Sequence, residues 1–98
     1  MKNNVLNLLG LAYRASKIVI GSDDVILNMK ENKIYLVFLD KDLSSNTEKQ
    51  IIKNCDLNSV KLDRSFTKEE LSHAIGKKNV CVIGITDEGF TKLINKSL

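Results

Sequence analysis

Two adjacent carboxylates, Asp23 and Asp24, follow Gly21-Ser22, and the 21 residues that end at Gly21 hold Lys2, Arg14 and Lys17 but no acidic residue. Glycine lets the backbone turn with positive φ, serine can cap a helix, and acidic residues favour its first turn. The pattern predicts a helix N-terminus that presents two hydrogen-bond acceptors beside a basic surface. A helix start after a strand also offers free N–H groups to an anion, but these carboxylates would repel a phosphate placed there. They suit a paired donor instead. A carboxylate only accepts hydrogen bonds, and the Watson–Crick edge of guanine presents N1–H and N2–H₂ together. Arg14, Lys17, Lys30 and Lys33, with Lys77 and Lys78 on a later loop, are cations that could hold phosphates around such an edge in distorted RNA. Simple stabilisation of the helix dipole is the competing reading of the two aspartates.

Other chemistry finds little support. The single histidine, His73, sits in a short amphipathic pattern and reads as an ordinary helix residue. No nucleophile elbow, two-histidine metal pattern or G-x-x-x-x-G-K-[ST] loop occurs. Asp40, Asp42 and Asp87 follow strand ends, where α/β proteins place functional groups, but a helix cap accounts for Asp87 and a turn for Asp40 and Asp42. Cys55 and Cys81 have no neighbour at ligand spacing and read as small buried hydrophobes. Neither an enzyme nor a metal or cofactor is expected.

The elements that must position these residues follow from periodicity. Val5, Leu8, Leu9 and Ala12 recur at helical spacing, so residues 4–15 predict an amphipathic helix. Ile18–Ile20 is a short strand ended by Gly21, and Ser22 to Glu31 a second helix with Val25, Ile26 and Met29 inward. Ile34–Leu39 and Val80–Ile85 are continuous apolar runs that suit strands covered on both faces. Ser45 with Glu48 reads as a capping box opening a helix to Cys55, with Ile51, Ile52 and Cys55 inward. Ser59–Leu62 is a short edge strand with a charged middle. Thr67 with Glu70 is a second capping box, for a helix through Leu71, Ala74 and Ile75 that Gly76 stops. Asp87 caps a last helix with Phe90, Leu93 and Ile94 on one face. This alternation predicts a three-layer α/β/α sandwich around a four-stranded mixed sheet.

The 98 residues suffice for one core, so residues 1–98 are expected to form a single domain. Apolar residues make up 43% and charged residues 28%, the balance of an ordinary folded chain rather than a disordered one. No apolar run approaches the ~20 residues that span a bilayer, and the N-terminus lacks a secretory pattern, so a cytoplasmic location is expected. The net charge of +3 makes placement of charge, not its amount, the guide to partners.

Five ordered blocks then resemble a known family. Leu9-Gly10-Leu11-Ala12-Tyr13-Arg14-Ala15-Ser16-Lys17 is similar to an L-G-L-A-x-R-A-x-K opening, and Gly21–Lys30 falls at the signature of the kink-turn RNA-binding ribosomal protein superfamily. Leu39–Thr47 resembles its L-x-x-D-x-S-x-N-T turn. Leu71–Lys77 and Ile85–Phe90 resemble its L-G-x-x-I-G-K and V-T-D-x-G-F blocks. The YlxQ-like bacterial branch is the most similar in pattern. The resemblance implies a non-catalytic sandwich that grips structured RNA, ribosomal or other, with ribosomal or translation proteins as further partners and with no membrane partner or DNA specificity. The implied contacts are Gly21, Ser22, Asp23 and Asp24, flanked by Arg14 and Lys17, and a second loop of Gly76, Lys77, Lys78 and Asn79; Lys30 joins them as a candidate from the charge pattern alone. Where the family carries a lysine one turn into the recognition helix, this sequence has Leu27. The alternative is a protein-interaction or assembly factor on the same fold, with a weakened RNA surface.

Overall fold

A strand with no polar face needs a covering layer on each side. The computed structural model, which describes residues 2–98, has both layers. Helix α1 (Lys2–Arg14) leads into β1 (Ile18–Ile20), α2 (Ser22–Lys30), β2 (Leu36–Leu39) and α3 (Asn46–Leu57). Then follow β3 (Lys61–Asp63), α4 (Lys68–Ile75), β4 (Val82–Ile85) and α5 (Glu88–Ser97). The strands form one sheet in the order β1-β4-β2-β3. β4 is antiparallel to both neighbours, and β2 and β3 are parallel.

Alternate side chains sort to the two faces of the sheet. Leu36, Phe38, Ile83 and Ile85 share one core with Val5 and Leu9 of α1, Leu71 and Ile75 of α4 and Ile94 of α5. Val37, Leu39 and Val82 share the other with Val25 and Met29 of α2 and Ile51 and Cys55 of α3. The observed architecture is therefore the expected α/β/α sandwich on a mixed four-stranded sheet. Gly84 lets the second layer sit low on β4. A Cβ there would lie 2.8 Å from Ile34 Cδ1 and 3.4 Å from Val25 Cγ2. No helix among the described residues is long and apolar enough to cross a membrane.

Several boundaries differ from the periodic reading. α1 starts at Lys2 and ends at Arg14. β2 begins at Leu36, because Tyr35 turns outward while its N–H still donates to Ile85 O at 2.9 Å. β4 begins at Val82, because the Val80 N–H is taken by the Ser72 hydroxyl at 2.9 Å. β3 occupies 61–63 rather than 59–62, since Ser59 adopts φ 55 and bends the chain. Ile52 and Leu93, expected inward, are exposed. The buried stripe of α5 is Thr91 and Ile94, three residues apart on one face, and Leu93 falls outside it.

The caps divide in the same way. Thr67 Oγ1 accepts the Glu70 N–H at 3.1 Å and the Glu70 carboxylate accepts the Thr67 N–H at 2.9 Å, a complete box. Asp87 caps α5 by accepting the Phe90 N–H at 2.8 Å. Ser45 stands at the N-cap of α3 but its hydroxyl makes no cap bond, and Glu48 pairs with Arg64 instead of closing a box. Ser22 is not a cap either. The N-cap of α2 is Gly21, and Ser22 is the first helical residue.

Candidate functional site

Antiparallel pairing of β1 with β4 sets Ile20 opposite Ile83, so the end of β1 meets the start of β4. The next residue, Gly21, donates its N–H to Val82 O at 3.0 Å. On the other side of β4, Leu39 of β2 faces Val82, and the Asp40 N–H reaches Cys81 O at 2.8 Å. The β1–α2 junction, the β2–α3 turn and the loop before β4 therefore converge on one edge of the fold.

Gly21 makes the first of these possible. Its φ of 97° and ψ of 146° lie where side-chain-bearing residues are strongly disfavoured. Its carbonyl accepts the Val25 N–H at 3.0 Å, so the chain passes from strand to helix in one residue. Asp23 and Asp24 then stand exposed in the first turn of α2, with no ion-pair partner among the described residues. Their acceptor oxygens are available, and their position suits the helix dipole as well.

The loop before β4 is held from beneath. Ser72 is buried. Its carbonyl accepts the Lys77 N–H at 3.0 Å and its hydroxyl accepts the Val80 N–H at 2.9 Å. Between these anchors Asn79 adopts φ 59, a conformation that asparagine tolerates better than most residues. Lys77, Lys78 and Asn79 are all exposed, and the Lys77 ammonium lies 5.7 Å from the centre of the Tyr13 ring, next to Arg14 at the end of α1.

These segments enclose a cleft of about 260 Å³. Ile20, Leu43, Val80 and Val82 supply apolar wall, and Gly21, Ser22, Thr47 and Asn79 supply polar groups. Cys81 also lines it. Burial first, then the nearby Asp40 charge, pushes that thiol above its ordinary pKa, so it is neutral at neutral pH.

The residues singled out in the sequence are thus partly assembled. Gly21, Ser22 and Asn79 line one cleft, with Asp23, Asp24, Lys77 and Lys78 on the segments that carry them. Lys17 stands at the other end of β1, its carbonyl accepting the Thr86 N–H at 2.9 Å. Gly21 lies four extended steps further on, roughly 13 Å along the strand. Arg14 precedes it on the same side. Lys30 ends α2, roughly 12 Å along the helix axis from Ser22. All three are exposed and flank the cleft at a distance. Leu43, Thr47 and Cys81 were not foreseen, nor was Arg64, whose partners lie 16 to 24 residues away. Only the D-x-D turn at Asp40 hinted at them: Asp40 Oδ1 accepts the Asp42 N–H at 3.1 Å and also the Lys68 N–H at 3.1 Å.

Known proteins share this sequence and shape. Residues 3–95 match the model of the ribosomal protein L7Ae/L30e/S12e/Gadd45 family. The chain is similar to the RNA-binding protein YlxQ of Bacillus subtilis (strain 168), 40% identical over 89 residues, which cover 90% of this chain and 89% of that one. It is 34% identical over 91 residues to the RNA-binding protein YlxQ of Enterococcus faecium, covering 93% and 87%. Among solved structures, a Bacillus halodurans protein of unknown function superposes with a TM-score of 0.85 at 32% identity, over 93% of this chain and 96% of that one. A 15.5 kD RNA-binding protein of Giardia lamblia has the same fold, with a TM-score of 0.82 at 17% identity over 97% and 82%.

Proposed function

The chain belongs to the ribosomal protein L7Ae/L30e/S12e/Gadd45 family, as its five sequence blocks anticipated, and from that premise we propose that it is a non-catalytic RNA-binding protein that recognises a kinked, structured RNA. The observation that carries this reading is the hydrogen bond from Gly21 to Val82, which brings the acidic tip of α2 to the loop of Lys77, Lys78 and Asn79 across one cleft. Asp23 and Asp24 accept from guanine edges that a kink exposes, and the apolar wall receives the face of an unstacked base. Lys77 and Lys78 beside the cleft, and Arg14, Lys17 and Lys30 farther from it, hold the phosphates that fix its orientation. Residues 1–98 act as one domain in the cytoplasm, on ribosomal or other structured RNA.

The test is a gel-shift comparison of a kink-turn stem with an unkinked control at two salt concentrations. Preference for the kinked stem, weakening as salt rises, is the expected result. Equal weak binding leaves only a general affinity for RNA, and absence of binding at low salt removes the reading. A second reading has its own observation: Leu27 is 55% exposed on the outer side of α2, an apolar contact for a protein partner in ribosome or translation assembly. It predicts a protein complex that is insensitive to Asp23→Ala, Asp24→Ala and substitution of the flanking cations.

A further inference from the structure

Arg64 follows β3, at the edge of the sheet beside β2, and reaches back over the β2–α3 turn. Its Nη2 donates to the carbonyls of Asp40 at 3.2 Å, Lys41 at 3.2 Å and Leu43 at 2.9 Å. Its Nη1 pairs with Glu48 in the first turn of α3. One guanidinium thus grips both ends of residues 40–48. Leu43 and Thr47, within that span, form the part of the cleft wall contributed by the turn and α3, alongside Gly21, Ser22 and Asn79. Only 29% of the arginine side chain is exposed, so its Nη donors are engaged with the protein rather than offered to a ligand, while its buried Nε–H has no hydrogen-bond partner among the described residues. The two N–H groups of Nη2, shared among three carbonyls, and Nη1 on the carboxylate gather four acceptors around one plane. A lysine ammonium, a compact charge on a flexible stem, does not.

We propose that Arg64 is the positioning residue of the cleft: its grip on Asp40, Lys41, Leu43 and Glu48 holds the Leu43–Thr47 wall in place and thereby sets selectivity for kinked over straight RNA, without touching the RNA. This rests on the RNA reading above and names what shapes that site. The experiment compares wild type, Arg64→Lys and Glu48→Ala by amide hydrogen exchange and by affinity for the kinked and straight stems. In Arg64→Lys, protection of the Leu43 amide, which donates to Asp40 O at 3.2 Å, is lost while β4 keeps its protection. Affinity for the kinked stem falls about tenfold, and straight-stem affinity and the salt slope hold within about twofold, since every phosphate-holding cation is still in place. Glu48→Ala gives the same pattern more weakly, and it carries the test if Arg64→Lys does not fold. Unchanged exchange across residues 40–48, or an equal loss on both stems, overturns the role. A wild type without preference for the kinked stem overturns the kink reading, and selectivity with it, before any variant is compared. The exchange data then tell that failure apart from a failure of the brace.

Discussion

At the scale of single residues, Gly21, Leu27 and Cys55 make separable demands. A Cβ at Gly21 would meet nothing within 4 Å, so the penalty of Gly21→Ala is conformational alone. Its backbone angles predict a loss of about 1–3 kcal/mol, read as a lower urea midpoint with an unchanged slope. Leu27 is exposed, so Leu27→Lys should change stability by less than about 0.5 kcal/mol. It should also tighten binding of the kinked stem about tenfold, the gain of one charged base or phosphate contact. An unchanged affinity would set the outer side of α2 away from RNA and favour a protein partner there. Cys55 is buried against Met29, and burial, then Asp56, pushes its thiol up from 9.0 to about 11. The folded state therefore keeps its proton where the unfolded chain has lost it. Stability contributed by this group is complete below pH 9 and declines as pH rises from 9 towards 11. Urea midpoints measured at pH 7.5, 9 and 10.5 should fall more steeply in wild type than in Cys55→Ala.

At the scale of elements, two capping sequences that look alike predict different outcomes. Thr67→Ala removes a bond that is made and should cost about 1 kcal/mol, or roughly 4–8 °C in Tm for a domain of this size. Ser45→Ala removes no cap bond and should leave Tm almost unchanged. That contrast marks how far the elements were legible. Nine elements in the right order follow from the unbroken runs around Val37 and Ile83 and from the helical spacing of Val5, Leu9 and Ala12. Their ends do not follow, because Tyr35 and Val80 donate their N–H groups to Ile85 and Ser72 in other elements, and Ser59 is taken into the turn that closes α3, with its N–H on Asp56 O. Glu48 is the clearest case: a local box is outcompeted by Arg64, sixteen residues on. The candidate site divides likewise. The β1–α2 tip and the lysine loop are local patterns and can be read directly, whereas the Leu43–Thr47 wall arises from strand order, which no periodicity encodes.

At the scale of the whole molecule, the proposed RNA surface extends beyond the cleft. Arg14→Glu with Lys17→Glu, and separately Lys77→Glu with Lys78→Glu, should each weaken binding. Each pair should also flatten the plot of log K against log salt by about 0.7–0.9 for every phosphate that the variant no longer neutralises. A slope that changes for only one pair would restrict the phosphate track to that pair.

The position of β4 between β1 and β2 also governs when the site can come into being. Both of its neighbours are made earlier in synthesis, yet they have no direct pairing with each other, and the cleft lies where they meet the start of β4. A nascent chain that has emerged only as far as α4 carries Asp23, Asp24 and the Arg14–Lys17 cations but has no assembled cleft. RNA selectivity should therefore switch on late and abruptly, once residues 82–85 leave the ribosome and slot into the gap. Stalled chains of increasing length, probed with the kinked stem, would show that step.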